Sequence, residues 1–206
     1  MIRNLIFIPF LFALAAVFVF SGTPVLAADA EANVMPLPAP ATTGGKLLME
    51  ALSERHSERA FSDAEIPPQE LSNLLWATWG INRKDGRRTA PTARNSQAVE
   101  VYVAMKTGVW QYDAAKNTLN RVLQEDVRDK LKSGDAPITL LYAAPGNDPH
   151  AGMHAGSLYQ NAGLYCASAG FANVVKTTGA RALDGVLTLP EGYKILVIQS
   201  VGWPKQ

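Results

Sequence analysis

Cysteine is almost absent from this sequence. The 206 residues include one, Cys166, and a single cysteine cannot form an intramolecular disulfide. The fold must therefore depend on packing or on a bound ligand instead of cross-links. Because Leu164 and Ala167 lie beside it, we expect Cys166 to be a small buried apolar residue, and we do not predict a catalytic thiol.

Histidine is also scarce, with three residues in the chain. His150 and His154 have the i, i+4 spacing of a helical metal site and Asp148 is nearby, but the glutamate of the zinc-protease motif and a clear third ligand are missing. The sequence has no Gly-x-Ser-x-Gly motif and no glycine-rich dinucleotide fingerprint. These absences argue against a metal site, a catalytic triad and a Rossmann domain.

Neither sign of charge is in excess. Beyond residue 27 the chain has 18 basic and 18 acidic residues, because Arg3 is the one charge before that point. This balance gives no general attraction to nucleic acid or to an anionic membrane surface. One local basic cluster consists of Arg83, Lys84, Arg87, Arg88 and Arg94. We interpret its first three members as part of a solvated loop.

The N-terminal region has the pattern of an export signal. Residues 1–27 contain one charge, an apolar run from residue 5 to 20 and small residues suited to cleavage near Ala27. The run is shorter than the roughly 20 residues of a spanning helix, although an uncleaved anchor remains the alternative. We therefore expect a periplasmic or secreted protein, with residues 28–45 as a flexible linker rich in Ala, Pro, Thr and Gly. Residues 46–206 are expected to form one domain.

Hydrophobic spacing predicts both helices and strands in this domain. Helices are predicted over residues 46–57, 67–80, 125–131, 150–170 and 181–187. Strands are predicted over residues 99–105, 109–112, 118–122, 137–144, 171–176 and 193–201. The sum is an α+β domain in which helices cover an antiparallel or mixed sheet.

Two polar stretches are candidates for a binding site. Arg55-His56-Ser57-Glu58-Arg59, at the end of the first predicted helix, brings together the two guanidinium groups and the hydroxyl that a phosphate needs. The alternative is an ordinary charged helix end in which Glu58 pairs with an arginine. The second stretch, residues 88–97, is a loop whose Thr, Asn, Ser and Gln side chains can bond to backbone or to ligand. Its alternative is a solvated connection.

Taken in order, these motifs resemble the FMN-dependent nitroreductase superfamily. The resemblance rests on residues 55–59 and 89–97, and is supported by Gln160-Asn161, residues 171–178 and the terminal Val201-Gly202-Trp203-Pro204-Lys205. It covers nearly all of residues 47–205, and it is closest to a short exported branch related to the dehydrogenases of thiazoline and oxazoline rings in peptides. Two departures are Ala98, where many relatives carry proline, and the short connection of residues 145–149.

The resemblance implies a nitroreductase-like α+β fold, a homodimer and one FMN per subunit at the dimer interface. It assigns Arg55, His56, Ser57 and Arg59 to the FMN phosphate and ribityl chain, with Lys205 as a further charge. It assigns Thr92, Arg94, Asn95 and Gln97 to the loop that approaches the flavin, and Thr177 and Thr178 to the backbone that faces N5 and O4 of the ring. No catalytic side chain is required, because the flavin carries the redox chemistry.

The implied function is that of an FMN-dependent oxidoreductase. It would transfer two electrons by a ping-pong route to or from a small conjugated substrate such as a nitroaromatic or a quinone. The electron donor stays open, since NAD(P)H serves most relatives but is not normally met outside the cytoplasm. The alternative is a protein of the same fold that binds flavin or another small molecule without turnover, and a third possibility is a tethered interaction module with no cofactor.

Overall fold

A seven-stranded antiparallel sheet forms the centre of the protein. The structure, a computed structural model, describes residues 33–206, so the predicted signal peptide and residues 28–32 lie outside the described part. The strands are β1 (Val34–Pro36), β2 (Glu100–Met105), β3 (Gly108–Asp113), β4 (Thr118–Leu123), β5 (Ile138–Pro145), β6 (Ala172–Lys176) and β7 (Tyr193–Gly202). Their order across the sheet is β1-β4-β3-β2-β5-β7-β6, and every neighbouring pair is antiparallel.

Three helices accompany the sheet in the described residues: α1 (Leu48–Glu54), α2 (Pro68–Trp79) and α3 (Ala151–Ala169). Helix α2 begins at Pro68, where the missing N–H of proline costs nothing, and ends at Gly80. Helix α3 ends at Gly170, whose φ of +80° is the left-handed conformation that suits glycine. The predicted α+β fold is therefore confirmed, and the sheet is antiparallel throughout.

The two faces of the sheet are covered by different kinds of structure. Val101 and Val103 of β2 pack in the cluster that contains Leu74 of α2 and Leu158 of α3. Successive side chains on a strand point to opposite faces, and Tyr102 accordingly joins a second cluster, with the irregular segments 125–133 and 177–189. This arrangement leaves both faces of the central strands buried.

The irregular segments correct two of the predicted helices. Residues 125–131 and 181–187 form turns, closed for example by the bond from Lys132 N–H to the carbonyl of Asp129 at 3.0 Å. Lys132, Gly179 and Gly185 have positive φ angles, which interrupt a right-handed helix. The predictions are wrong because buried residues at i, i+4 spacing, here Val127 and Leu131, occur in packed turns as well as in helices.

The predicted flexible linker is also corrected for the residues that the structure describes. Within it, β1 pairs with β4 and forms one edge of the sheet, with Val34 opposite Asn120. The carbonyl of Pro38 accepts a bond of 2.8 Å from Asn117 Nδ2, and Ala41 N–H donates to Asn73 Oδ1 at 2.8 Å. A strand of three residues is too short to show a hydrophobic alternation. The segment therefore has the composition of a tether although much of it is packed on the domain.

Helix α1 is shorter than predicted and turns most of its apolar side chains to solvent. Ala51 is its buried residue, whereas Leu48, Met49 and Leu52 are 64%, 75% and 42% exposed. Cys166, by contrast, is fully buried as predicted, and burial raises the pKa of its thiol, which makes it a poor nucleophile at neutral pH. Across residues 33–206, none of the helices is both long and apolar enough to cross a membrane.

Candidate functional site

The segment of residues 55–59 lies beside β6, the strand at one edge of the sheet. Helix α1 ends because Arg55 adopts extended backbone angles, with φ of −61° and ψ of 116°. Glu58 N–H then donates to the carbonyl of Asn173 on β6 at 2.9 Å, and Lys205 N–H donates to the carbonyl of Ala60 at 3.1 Å. Backbone bonds thus bring the Arg-x-Ser-x-Arg stretch beside β6 and beside the C-terminal residues.

The side chains of this segment are open to solvent. Arg55, His56, Ser57 and Arg59 are exposed. The aliphatic part of Arg55 rests against α3 at Gly163, where an added Cβ would lie 3.8 Å from Arg55 Cγ and Cδ. An added Cβ would be at ordinary van der Waals distance, so this contact places Arg55 against α3 without requiring a glycine.

Glu58 does not neutralise the two arginines. Its carboxylate accepts bonds from the N–H groups of Arg59 and Ala60 at 2.9 and 3.0 Å, and these backbone bonds, the largest cause, lower its pKa. In the described part of the chain neither Arg55 nor Arg59 forms an ion pair. The two guanidinium groups and the Ser57 hydroxyl are therefore presented without an ion pair, although the Glu58 carboxylate is near enough to interact with Arg59 and His56. This donor set fits a phosphate.

Lys205 is brought to the segment by its backbone more than by its charge. Its N–H bonds to Ala60, but its Nζ lies 3.7 Å from Asp135 Oδ2. Both side chains are largely exposed, so the pair is weak. The Lys205 ammonium is held near a carboxylate instead of near the two arginines.

The second predicted stretch forms a tight loop with an unusual backbone. Residues Ala93–Asn95 make a short 3-10 turn, and Arg94, Asn95 and Gln97 have φ angles of 54°, 54° and 49°. Left-handed conformations cost free energy for residues other than glycine, so the surrounding contacts must hold them in place. Such strain is typical of functional loops.

Arg88 is one of the groups that hold this loop. Its Nε donates to Gln97 Oε1 at 2.9 Å, its Nη1 donates to the carbonyl of Trp79 at 3.0 Å, and its guanidinium carbon lies 4.9 Å from the centroid of the Trp79 ring. Burial of the half-buried group is the largest cause of a lowered pKa. Arg83, Lys84 and Arg87 are exposed, as predicted. Arg88 differs from them because it connects the loop to the end of α2.

His154 is the other anchor of the loop, a role that the sequence did not indicate. The ring is 1% exposed, and its Nε2 accepts a bond of 2.8 Å from Ala93 N–H. An accepting Nε2 carries no proton, which leaves a ring proton on Nδ1. Nδ1 lies 3.3 Å from Asp148 Oδ2 but makes no hydrogen bond to a described residue. The i, i+4 histidine pattern therefore places a loop anchor on α3. The contact could not be read from the sequence, because Ala93 lies 61 positions from His154.

The predicted loop residues divide into inward and outward groups. Gln97 is used within the loop, since its N–H donates to Thr92 Oγ1 at 3.0 Å and its Nε2 lies 3.2 Å from Asn95 Oδ1. Arg94 and Asn95 are exposed. Thr92 and Gln97 therefore shape the loop, and Asn95 takes part by accepting the bond from Gln97 through its Oδ1. The Arg94 guanidinium and the Asn95 amide nitrogen are the exposed groups that a ligand could meet.

Thr177 and Thr178 lie beyond the far end of β6 from the arginine segment. Both are exposed, and the carbonyl of Thr177 accepts a bond of 3.2 Å from Ala180 N–H that closes the following turn. Four residues of strand separate Thr177 from Asn173, which corresponds to roughly 13 Å. The turn at Thr177 and Thr178 thus directly follows the strand that receives Glu58, and its contact with a flavin stays a prediction.

The two main stretches are not joined directly in the part of the chain that the structure describes. Residues 55–59 contact α3 at Gly163, and residues 92–97 contact it at His154. Nine residues are two and a half helical turns, so these anchors lie on opposite sides of α3. No hydrogen bond or ion pair between described residues links one stretch to the other.

Comparisons with known proteins give a consistent family. A model described as the nitroreductase family matches residues 52–203. A candidate nitroreductase from Methanocaldococcus jannaschii is 29% identical over 111 residues, which are 47% of this chain and 56% of that protein. The match thus spans little more than half the length of this curated relative.

Solved structures show the same fold. A candidate nitroreductase from Ralstonia eutropha JMP134 is 33% identical, with a TM-score of 0.79 over 84% of this chain and 90% of that one. An FMN-bound nitroreductase from Bacteroides fragilis has 16% identity and a TM-score of 0.56, covering 78% of this chain and 89% of that one. A chain of the Escherichia coli microcin synthetase McbBCD complex has 18% identity and a TM-score of 0.61, covering 92% of this chain and 85% of that one.

Proposed function

Because the chain belongs to the nitroreductase family, we propose that it is an FMN-dependent oxidoreductase. The observation that carries the proposal is the pair of arginines, Arg55 and Arg59, presented with Ser57 and without a carboxylate partner among the described residues. Exposed cations without partners are what a phosphate-bearing cofactor requires, since a charged hydrogen bond to phosphate replaces solvent contacts of the guanidinium groups.

The residues present fit an FMN in their chemistry. Arg55, Ser57 and Arg59 would bind its phosphate and ribityl chain, and the backbone at His56 would contribute to the same cradle. Lys205 is a weaker candidate because its Nζ is already near Asp135. A bound FMN would supply two-electron redox chemistry, so the protein needs no nucleophile of its own.

The loop of residues 92–97 would orient the ring. Asn95 offers an amide that can both donate and accept at the polar edge of a flavin, and Arg94 offers a cation next to it. Thr92 and Gln97 would act through the loop, because their polar atoms are used to hold its shape. The turn at Thr177 and Thr178 would supply backbone donors.

The arrangement of these residues and the family support a reaction class. We propose a two-electron oxidoreductase that works by a ping-pong route with a small conjugated substrate, such as a nitroaromatic or a quinone. The order of the motifs also supports a relation to the dehydrogenases of thiazoline and oxazoline peptides.

A homodimer is part of the proposal. Leu47, Leu48, Met49 and Leu52 expose between 42% and 79% of their surface on and before α1. A contiguous apolar face of this kind is typical of a protein interface. In sedimentation, the wild-type protein should be a dimer and the double variant Leu48→Glu/Met49→Glu a monomer. A wild-type protein that sediments as a monomer when loaded with FMN would rule the dimer out.

Export is the proposed location. It rests on the pattern of residues 1–27, which lie outside the described residues. The protein recovered from a periplasmic fraction should have the mass of a chain that begins near Ala28. Recovery of the full-length mass from the cytoplasmic fraction would contradict the proposal.

The test of the function begins with the visible spectrum of the purified mature protein. A yellow protein, or a colourless one that binds added FMN, is the expected result, and failure to take up FMN would reject the proposal. Rapid mixing of the FMN-loaded protein with reductants, and then with quinone or nitroaromatic acceptors, should show electron transfer in both half-reactions. Binding without transfer would instead establish a flavin-binding protein without turnover.

A further inference from the structure

A second group of cations surrounds a cavity at the turn after β6, which residues 55–59 and 92–97 do not line. The cavity has a volume of about 640 Å³ and lies between the segment before β5, the turn after β6 and the start of β7. Its charged lining residues are Lys130, Lys132, Arg181 and Lys194, and no aspartate or glutamate lines it. The local potential is therefore positive in a chain whose basic and acidic residues are balanced beyond residue 27.

The protein neutralises little of this charge. Lys130 Nζ pairs with Glu125 Oε1 at 2.8 Å. Within residues 33–206, Lys132, Arg181 and Lys194 have no ion pair. Like charges held around one concave space repel one another, and a bound anion would relieve that repulsion.

The walls of the cavity are fixed by specific contacts. Lys176 Nζ donates to the carbonyl of Lys132 at 2.8 Å, which attaches the end of β6 to the segment before β5. Gly179 packs so closely on that segment that an added Cβ would lie 2.6 Å from the carbonyl oxygen of Leu131. The stem of Lys194 rests along Gly146, with Cδ 3.5 Å from where a Cβ would be. These contacts hold in place the backbone segments that bear the cations.

Apart from Thr177, the remaining side chains of the lining are apolar. Ala180, Ala182, Ile195 and Leu196 contribute to it. A volume of this size is typical of small-molecule sites, which combine an apolar surface with a few placed polar groups. We propose that the cavity binds a small organic anion with an apolar body and at least two negative charges.

This site is separate from the proposed phosphate cradle. None of residues 55–59 lines the cavity, whereas Thr177 does. The ligand would thus lie beside the turn that is proposed to face the flavin. The binding itself does not depend on the proposed function and can be measured with or without FMN.

Calorimetric titration of the mature protein with naphthalene-2,6-disulfonate tests the proposal, with the neutral 2,6-dihydroxynaphthalene and inorganic phosphate as comparison probes. The double variant Lys132→Glu/Lys194→Glu reverses two cavity charges while keeping the Lys132 carbonyl that binds Lys176. The matched control Lys84→Glu/Lys106→Glu makes the same change in net charge at exposed positions outside the cavity. A second cavity variant, Lys132→Gln/Lys194→Gln, together with thermal melting, separates loss of charge from loss of fold.

The disulfonate should bind more tightly than either comparison probe. The cavity variant with two glutamates should lose about tenfold or more in affinity, as expected when charged hydrogen bonds are removed, and the control should stay within about twofold. Absence of disulfonate binding to the wild-type protein, or an equal loss in both double variants, would overturn the site. An FMN affinity that falls in the cavity variant but not in the control would assign these cations to the cofactor and also overturn it.

Discussion

The two stretches proposed to hold the cofactor are built in opposite ways. Residues 55–59 are held by backbone bonds to β6 and to the C-terminal residues, and their arginines are left exposed. Residues 92–97 are held by side chains, chiefly those of Arg88 and His154, which impose left-handed angles on Arg94 and Asn95. The first stretch is a surface ready for an anion, and the second is a preorganised loop. Substitutions should therefore affect binding in the first and stability in the second.

The largest expected effect is on the loop. His154→Ala should lower the free energy of unfolding by about 2–4 kcal/mol, because it leaves the Ala93 N–H without a partner and opens a cavity. Urea unfolding measures the loss, and faster hydrogen exchange of the Ala93 amide locates it. His154→Gln, which offers an acceptor for the same N–H, should recover part of the protection. The exposed His150 is the matched control, and an equal loss in His150→Ala would refute the anchor.

The next effect concerns the arginine stretch and should appear in binding alone. Arg55→Ala should weaken FMN binding by about 1.5–3 kcal/mol, the contribution of a hydrogen bond to a charged group, with the thermal midpoint of the FMN-free protein nearly unchanged. Fluorescence titration of the FMN-free protein gives the affinity. Arg87→Ala, at an exposed arginine outside both stretches, should bind FMN normally. Unchanged affinity in Arg55→Ala would show that the cluster is only a charged surface.

A smaller effect separates strain from function within the loop. Arg94→Gly should raise the free energy of unfolding by about 0.5–1 kcal/mol, because glycine accepts a φ of 54° without the penalty of a side chain. The same variant should bind FMN less well if the guanidinium meets the ligand. Lys84→Gly, at a position whose φ is not positive, should bring no gain in urea unfolding. Loss of stability in Arg94→Gly would mean that its side-chain contacts outweigh the backbone strain.

The smallest expected effect depends on pH. The pKa of Glu58 is lowered in the fold by the N–H groups of Ala60 and Arg59, so its stabilising contribution is present above the pKa of an unfolded glutamate and is lost as the pH falls through the folded value. Hydrogen exchange at Ala60, followed from pH 6 to pH 3 and corrected for the intrinsic rate, should show a loss of protection at the acid end. Glu58→Gln should remove that step. Identical profiles for the two proteins would contradict the role of the charge.

Local patterns predicted most of the architecture correctly. Helix α2 begins at its proline and ends before its glycine as expected, and its predicted apolar face, including Leu74 and Leu75, is buried. The strands from β2 to β7 were found within a few residues of their observed ends. Two errors are the helices predicted over residues 125–131 and 181–187, where burial against the second face of the sheet produces helical spacing without a helix. A third is the flexible linker, which contains β1.

The parts of the candidate site that consist of short sequence motifs could be predicted. The arginine stretch and the polar loop could be found because their residue types bind phosphates and flavin edges. The division of labour within the loop could not, because Gln97 is assigned to structure only by its contact with Arg88, nine residues away. His154 was visible as a histidine but not as an anchor, and Lys205 was visible as a charge but not as a partner of Asp135.

The sequence by itself determined the family, the class of fold and the chemistry that its two motifs can offer. These properties depend on local residue order, on hydrophobic periodicity and on side-chain type. The tertiary structure decided which polar groups remain available, since availability depends on partners that are distant in the chain. It also brought Lys130, Lys132, Arg181 and Lys194 around one cavity, because three separate segments meet only when the second face of the sheet is covered.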